Sequence, residues 1–137
     1  EVTIPGGSAG DRIYTAHWQL LSFSIDYDLQ GGTADNPASY TVETDEIKLN
    51  PPQKTGYAFT GWSGTDIAGQ AMEVTVPGGS TGNRTYTAHW QPLSFSIDYD
   101  LQGGTANNPA SYTIESNDIQ LNPPQKTGYA FTGWSGT

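Results

Sequence analysis

The stretch Leu21-Ser22-Phe23-Ser24-Ile25-Asp26-Tyr27-Asp28-Leu29 puts Leu21, Phe23, Ile25, Tyr27 and Leu29 on one side and Ser22, Ser24, Asp26 and Asp28 on the other. Strict alternation marks a strand buried on one face, because successive side chains of an extended chain point to opposite sides. Gln30-Gly31-Gly32-Thr33 follows as a turn, where glycine enters the left-handed region without a Cβ penalty. The same nine strand residues return at Leu93–Leu101.

That recurrence extends over most of the chain. Glu1–Thr65 aligns with Glu73–Thr137 without a gap at an offset of 72 residues, and 54 of the 65 pairs are identical. The differences are mild, such as Ile4/Val76, Asp11/Asn83, Ile13/Thr85, Leu20/Pro92 and Val42/Ile114. Only Asp66–Met72 has no copy. A period this long is enough for each unit to build a small core, near the lower size limit for independent folding. Tandem copies point to length, valency or assembly rather than to one catalytic scaffold.

Other segments also read as strands. Gly56–Trp62 places Tyr57 and Phe59 on one face and bends near Gly61. Arg84–Trp90 places Tyr86, Ala88 and Trp90 together. Ile47–Leu49 and Glu73–Val76 are short strands, the first ended by Asn50-Pro51-Pro52 because proline cannot donate to a ladder. Tyr40–Thr44 reads as a strand or one helical turn. Any helix is expected to be short, around Pro37–Tyr40 and Pro109–Tyr112. The fold class is therefore mainly β, with a small α+β variant open. Only Gln91 and Pro92 separate Trp90 from Leu93, which limits swing between units.

Fourteen acids against five scattered bases give a net charge of −9. Such a chain repels phosphate backbones and anionic membranes, so neither nucleic acid nor membrane insertion is expected. There is no cysteine, hence no disulfide, thiolate chemistry or cysteine-ligated zinc. No run is apolar enough to span a bilayer and no signal peptide is present. The chain begins inside a repeat and so reads as a piece of something longer.

Four motifs together resemble a known family. They are Ile25-Asp-Tyr-Asp-Leu-Gln-Gly-Gly-Thr33, Pro37-Ala-Ser-Tyr-Thr-Val-Glu43, Lys54-Thr-Gly-Tyr-Ala-Phe-Thr-Gly-Trp62 and Val76–Trp90 with its closing Thr87-Ala88-His89-Trp90. This pattern is similar to the Listeria–Bacteroides repeat, also called the internalin B-repeat, over nearly the whole chain. The resemblance implies a small β-grasp-like module, here of about 72 residues, on bacterial surface or secreted proteins, used in tandem and without catalytic residues. In that phase, residues 1–18 are the closing strands of one repeat, 19–90 a complete repeat and 91–137 the opening part of the next. The competing phase has units 1–65 and 73–137 with 66–72 as linker. In the first phase the two ends are expected to complement each other, within one chain or head-to-tail between chains.

Candidate sites are sparse. Asp26 and Asp28, with Asp98 and Asp100, are the candidate calcium ligands; they lack EF-hand spacing, and a solvated strand face is the favoured reading. His17 and His89 recur singly, without a second nitrogen or sulfur ligand, and read as surface residues. Gly6–Gly10 and Gly78–Gly82 lack the Gly-Lys-Ser/Thr ending of a phosphate loop. Trp62, Trp90 and Trp134, with Tyr57 and Tyr129, could stack on sugars, although small cores need such side chains. Lys54 near Asn50, and Lys126 near Asn122, invite an isopeptide reading, with a solvated lysine favoured. No nucleophile elbow appears, and Asn83-Arg84-Thr85 is a single N-glycosylation match.

These readings give a structural, non-enzymatic repeat without cofactor, outside the cell or on a bacterial surface. It would serve as a spacer, a stalk or a filament unit whose partner is itself. The alternative is an adhesive module for a host protein or glycan.

Overall fold

The computed structural model describes residues 1–137 and holds strands but no helix. The strands are β1 (Phe23–Asp28), β2 (Ser39–Tyr40), β3 (Ile47–Lys48), β4 (Tyr57–Gly64), β5 (Thr75–Val76), β6 (Arg84–Pro92), β7 (Phe95–Ser96) and β8 (Ser111–Tyr112). Four of them form one sheet in the order β2-β1-β6-β4. β6 runs parallel to β1, pairing Ile25 with Arg84 and Tyr27 with Tyr86, and antiparallel to β4, pairing Phe59 with Trp90 and Trp62 with Ala88. β3 and β5 make a second, two-stranded sheet.

The alternation read from the sequence explains the core. Ile25 on β1, Trp62 on β4, and Tyr86 and Ala88 on β6 are each 2% exposed or less, joined by Val76 from the small sheet. Leu21, aligned with the apolar face in sequence, lies ahead of β1 and is exposed. β4 bulges between Phe59 and Gly61, where Gly61 takes φ +137°. The extra residue re-aims the strand so that Trp62 points inward. Its indole Nε1 is buried without an acceptor, beside the rings of Phe59 at 5.4 Å and Tyr27 at 6.1 Å.

The helix expected around Pro37–Tyr40 and Pro109–Tyr112 does not form. Ser39 and Tyr40 pair with β1, and Ser111 and Tyr112 pair with β7. Thr41–Thr44 then turns, held by the Thr41 N–H donating to Thr44 Oγ1 at 2.9 Å. Hydroxyl-to-backbone bonds of this kind compete with helix. The turn after β1 behaves as read: Gln30 and Gly31 have φ of +50° and +84°, and Gly32 N–H closes onto Leu29 O at 2.9 Å.

Asp66–Met72 packs onto this body. Ala71 pairs with Trp62 through two backbone bonds, and the Asp66 carboxylate accepts from Arg84 Nη1 at 2.9 Å. By contrast, every residue from Glu1 to Ser22 is exposed, and residues 1–20 form no strand.

Trp62→Ala is expected to lose about 3–5 kcal/mol, the usual cost of emptying a buried tryptophan site. In so small a core this should abolish the cooperative denaturation transition of the Phe23–Pro92 body.

Candidate functional site: an open strand groove and an inter-repeat joint

β6 shows what one strand does when it enters the sheet. Tyr86 and Ala88 fill the core. Trp90 packs edge-on to Phe59 at 5.7 Å and donates its indole N–H to Leu29 O at 3.0 Å. A Cβ on Gly32 would overlap Trp90 Cζ2, so glycine there is a requirement of the tryptophan's seat. At the other end of β6, Arg84 is buried. Its Nε donates to Tyr40 Oη at 3.1 Å, and Tyr40 in turn donates to Gly82 O at 2.6 Å. These bonds and the Asp66 carboxylate satisfy a charge that would otherwise be costly to bury.

The second repeat contains the same walls without the strand between them. Ile97–Leu101 and Tyr129–Thr137 border a cleft of about 730 Å³. The walls already hold the geometry of the complete unit. Tyr99–Trp134 ring centroids are 5.9 Å apart against 6.1 Å for Tyr27–Trp62, and Phe131–Trp134 are 5.3 Å apart against 5.4 Å for Phe59–Trp62. The bridge Thr105↔Gln125 repeats Thr33↔Gln53. What differs is exposure: Trp134 is 37% exposed where Trp62 is fully buried. No tryptophan approaches Gly104, the copy of Gly32.

A second feature joins the repeats. Leu93 N–H donates to Gly56 O at 2.9 Å, and Tyr57 Oη donates to Glu115 Oε1 at 2.8 Å. Lys54 Nζ lies 4.1 Å over the Tyr57 ring. Ile114 packs on Gly56 so closely that a Cβ there would stand 2.7 Å from its Cδ1. The bond to Glu115 holds the Tyr57 phenol above its ordinary pKa.

The other candidates take structural places. Asp28 closes the Gln30 turn, accepting from its backbone N–H at 3.1 Å and its Nε2 at 3.0 Å, and Asp100 does the same for Gln102. Asp26 and Asp98 belong to no group of three or more acidic or imidazole side chains. His89, read as a surface residue, is half-buried with Nε2 2.6 Å from Ser63 Oγ, because the β4 bulge turns Ser63 toward it; His17 is exposed. Lys54 Nζ donates to Gln30 O, and Asn50 Nδ2 donates to Asp35 O, so the two are held apart by separate partners. Asn83 Oδ1 accepts from Ser24 N–H at 3.0 Å. The buried Arg84 network and the joint are the features that sequence reasoning missed.

The Listeria-Bacteroides repeat domain profile matches residues 23–89 and 95–137. The chain belongs to the Listeria–Bacteroides repeat family. Among its relatives, a "Putative Gly-rich membrane protein" of Evansella cellulosilytica is 24% identical over 90% of this chain and 14% of its own length. Internalin H of Listeria monocytogenes is 30% identical over 70% of this chain and 18% of its own. The chain thus spans under a fifth of the relatives it matches. No solved structure matches it, and no helix is long and apolar enough to cross a membrane.

The core also has a titration signature. Desolvation, reinforced by Tyr86, pushes the Tyr27 pKa up to about 12. A raised phenol pKa stabilises the fold fully below the unfolded value near 10, and that contribution is lost as pH rises through about 12. Phenolate absorbance should therefore show a late step that coincides with unfolding and disappears in Tyr27→Phe.

Proposed function

We propose that this chain is a non-enzymatic spacer: a β-grasp-like repeat, of about residues 19–90, strung in tandem outside the cell or on a bacterial surface. The observation that carries this reading is the joint. One backbone bond, one side-chain bond and the Ile114–Gly56 contact tie the start of one repeat to the body of the previous one, across the two-residue connection Leu93-Ser94 that follows β6. A tied joint converts repetition into reach, at about 30 Å per compact unit. The strand order β2-β1-β6-β4 with its parallel central pair supports the β-grasp-like description. The relatives named as membrane proteins support the surface setting.

Distances between spin labels on the two repeats test the spacer. A narrow distribution is expected, broadening in the double variant Glu115→Ala, Ile114→Ala. Equal, broad distributions in both proteins would leave the joint without mechanical meaning.

A finer reading, that repeats complete one another into a filament, is favoured by the identity of the wall residues and closing-strand anchors in the two copies. It predicts sedimentation coefficients that rise with concentration. Adhesion to a host protein or glycan through aromatics has less support. In the complete unit Trp62, Tyr86 and Tyr40 are buried, and the exposed Trp18, Trp134 and Tyr129 are copies of residues that are covered or half-covered there.

A further inference from the structure

Resting on the spacer reading, we infer that the parallel pair β1–β6 is a mechanical clamp. It bears the tension that a tandem array transmits, and so makes each repeat a force-resisting link as well as a length of stalk.

The topology sets the load. The chain enters the complete unit at Phe23, the start of β1, and leaves it at Pro92, the end of β6. These strands are neighbours and run parallel, with Ile25, Asp26, Tyr27 and Asp28 opposite Arg84, Thr85, Tyr86 and Thr87. In a parallel pair the first residue of one strand and the last residue of the other lie at opposite ends of the ladder. Tension along the chain therefore slides β6 forward along β1. A ladder loaded in this direction shares the force among its evenly spaced bonds, which must break together. Pulled apart from one end, the same bonds would open one after another.

Side chains bolt the ladder at both ends. Ahead of it, Ser24 N–H donates to Asn83 Oδ1 at 3.0 Å; beyond it, the Trp90 indole N–H donates to Leu29 O at 3.0 Å. Both bonds join the β1 segment to the β6 segment, so both resist sliding. The indole is also seated against Gly32 and has to leave that slot before β6 can advance. One face of the pair is sealed by buried Ile25 and Tyr86, and Tyr27 stacks on Tyr86 with centroids 6.2 Å apart. On its other edge β6 is backed by β4 from Tyr86 to Pro92, which keeps it from peeling off the sheet. The chain between the two strands lies outside the load path and stays slack until the clamp opens. Forced unfolding is governed by the unfolding barrier rather than by equilibrium stability. A unit with a small core can therefore be strong along this one direction.

The chain has no cysteine, so attachment points can be placed at will. Ser22→Cys with Ser94→Cys loads the clamp in shear. Ser22→Cys with Thr81→Cys pulls the same strands apart from the end marked by the Ser24–Asn83 bond. All three positions are exposed and lie outside the strands, so chemical denaturation should be the same for both pairs. The 137-residue chain would be stretched by single-molecule force spectroscopy at one loading rate. The shear pair should yield at a several-fold higher force, in a single step of about 220 Å, from about 3.6 Å per extended residue less about 30 Å of folded length. Trp90→Phe removes the bond to Leu29. It should lower the shear force and leave the one-ended force unchanged, because that bolt lies at the far end and opens after the peak. Equal forces in the two geometries, or an equal effect of Trp90→Phe on both, would overturn the clamp. Neither result moves the spin-label distances, so the spacer reading stands or falls separately.

Discussion

Everything in the complete unit depends on the insertion of Arg84–Pro92 between β1 and β4. β1 and β4 do not pair with each other; β6 lies between them and pairs with both, while β2 pairs with the far edge of β1. Tyr86 and Ala88 become core residues by that act, and so does the seat of Trp90 on Gly32. The strand also brings Arg84 to Tyr40 and Asp66, which ties β2 and the segment after β4 to the sheet. The β1–β6 pairing spans about sixty residues of chain, so the sheet closes late and at the cost of a long loop. Until then the unit has two prepared walls and an open seam.

An open seam invites indiscriminate pairing, and the charge of the chain bears on that hazard. Asp98 and Asp100 sit on the polar face beside the cleft, and the net charge of −9 sets whole molecules against one another. Repulsion of this kind discourages loose edge-to-edge contact while leaving a strand of the right pattern free to bind. The reward for the right strand is large and local: one tyrosine, one alanine and one tryptophan buried at fixed spacing. Specificity comes from that spacing and from the glycine slot, since a shift of one residue would turn all three outward.

Much of this was legible in the sequence because β structure writes its burial as a period of two. Ile25 and Tyr27 on β1, Tyr86 and Ala88 on β6, and the bend at Gly61 could all be placed from alternation and glycine chemistry. What escaped depended on contacts between distant segments. Ser39–Tyr40 looked able to start a helix because its pairing partner, Phe23–Ser24, is not local. The partners of Arg84 were not foreseen because Tyr40 and Asp66 approach it only in the folded body. His89 looked exposed because a single-residue bulge, invisible to periodicity, carries Ser63 to it. The joint could not be foreseen because Tyr57 and Glu115 are ordinary polar residues until the short Leu93-Ser94 connection after β6 sets the repeats side by side.

The positions at which the two copies differ sharpen the case for interchangeable parts. Tyr14/Tyr86, Ala16/Ala88 and Trp18/Trp90 are identical, as are the wall residues Tyr27/Tyr99, Phe59/Phe131 and Trp62/Trp134 and the slot Gly32/Gly104. Among the inward positions of the closing segment only Ile4/Val76 changes, by one methylene. The remaining differences fall on outward faces, turns or the connection, as at Ile13/Thr85, Asp45/Asn117 and Leu20/Pro92. A closing strand from either copy therefore carries the same pattern of anchors for either body. Neighbouring identical repeats are prone to exchange elements for that reason. The joint fixes the spacing from one repeat to the next within the chain, through Leu93 on Gly56 and Glu115 on Tyr57.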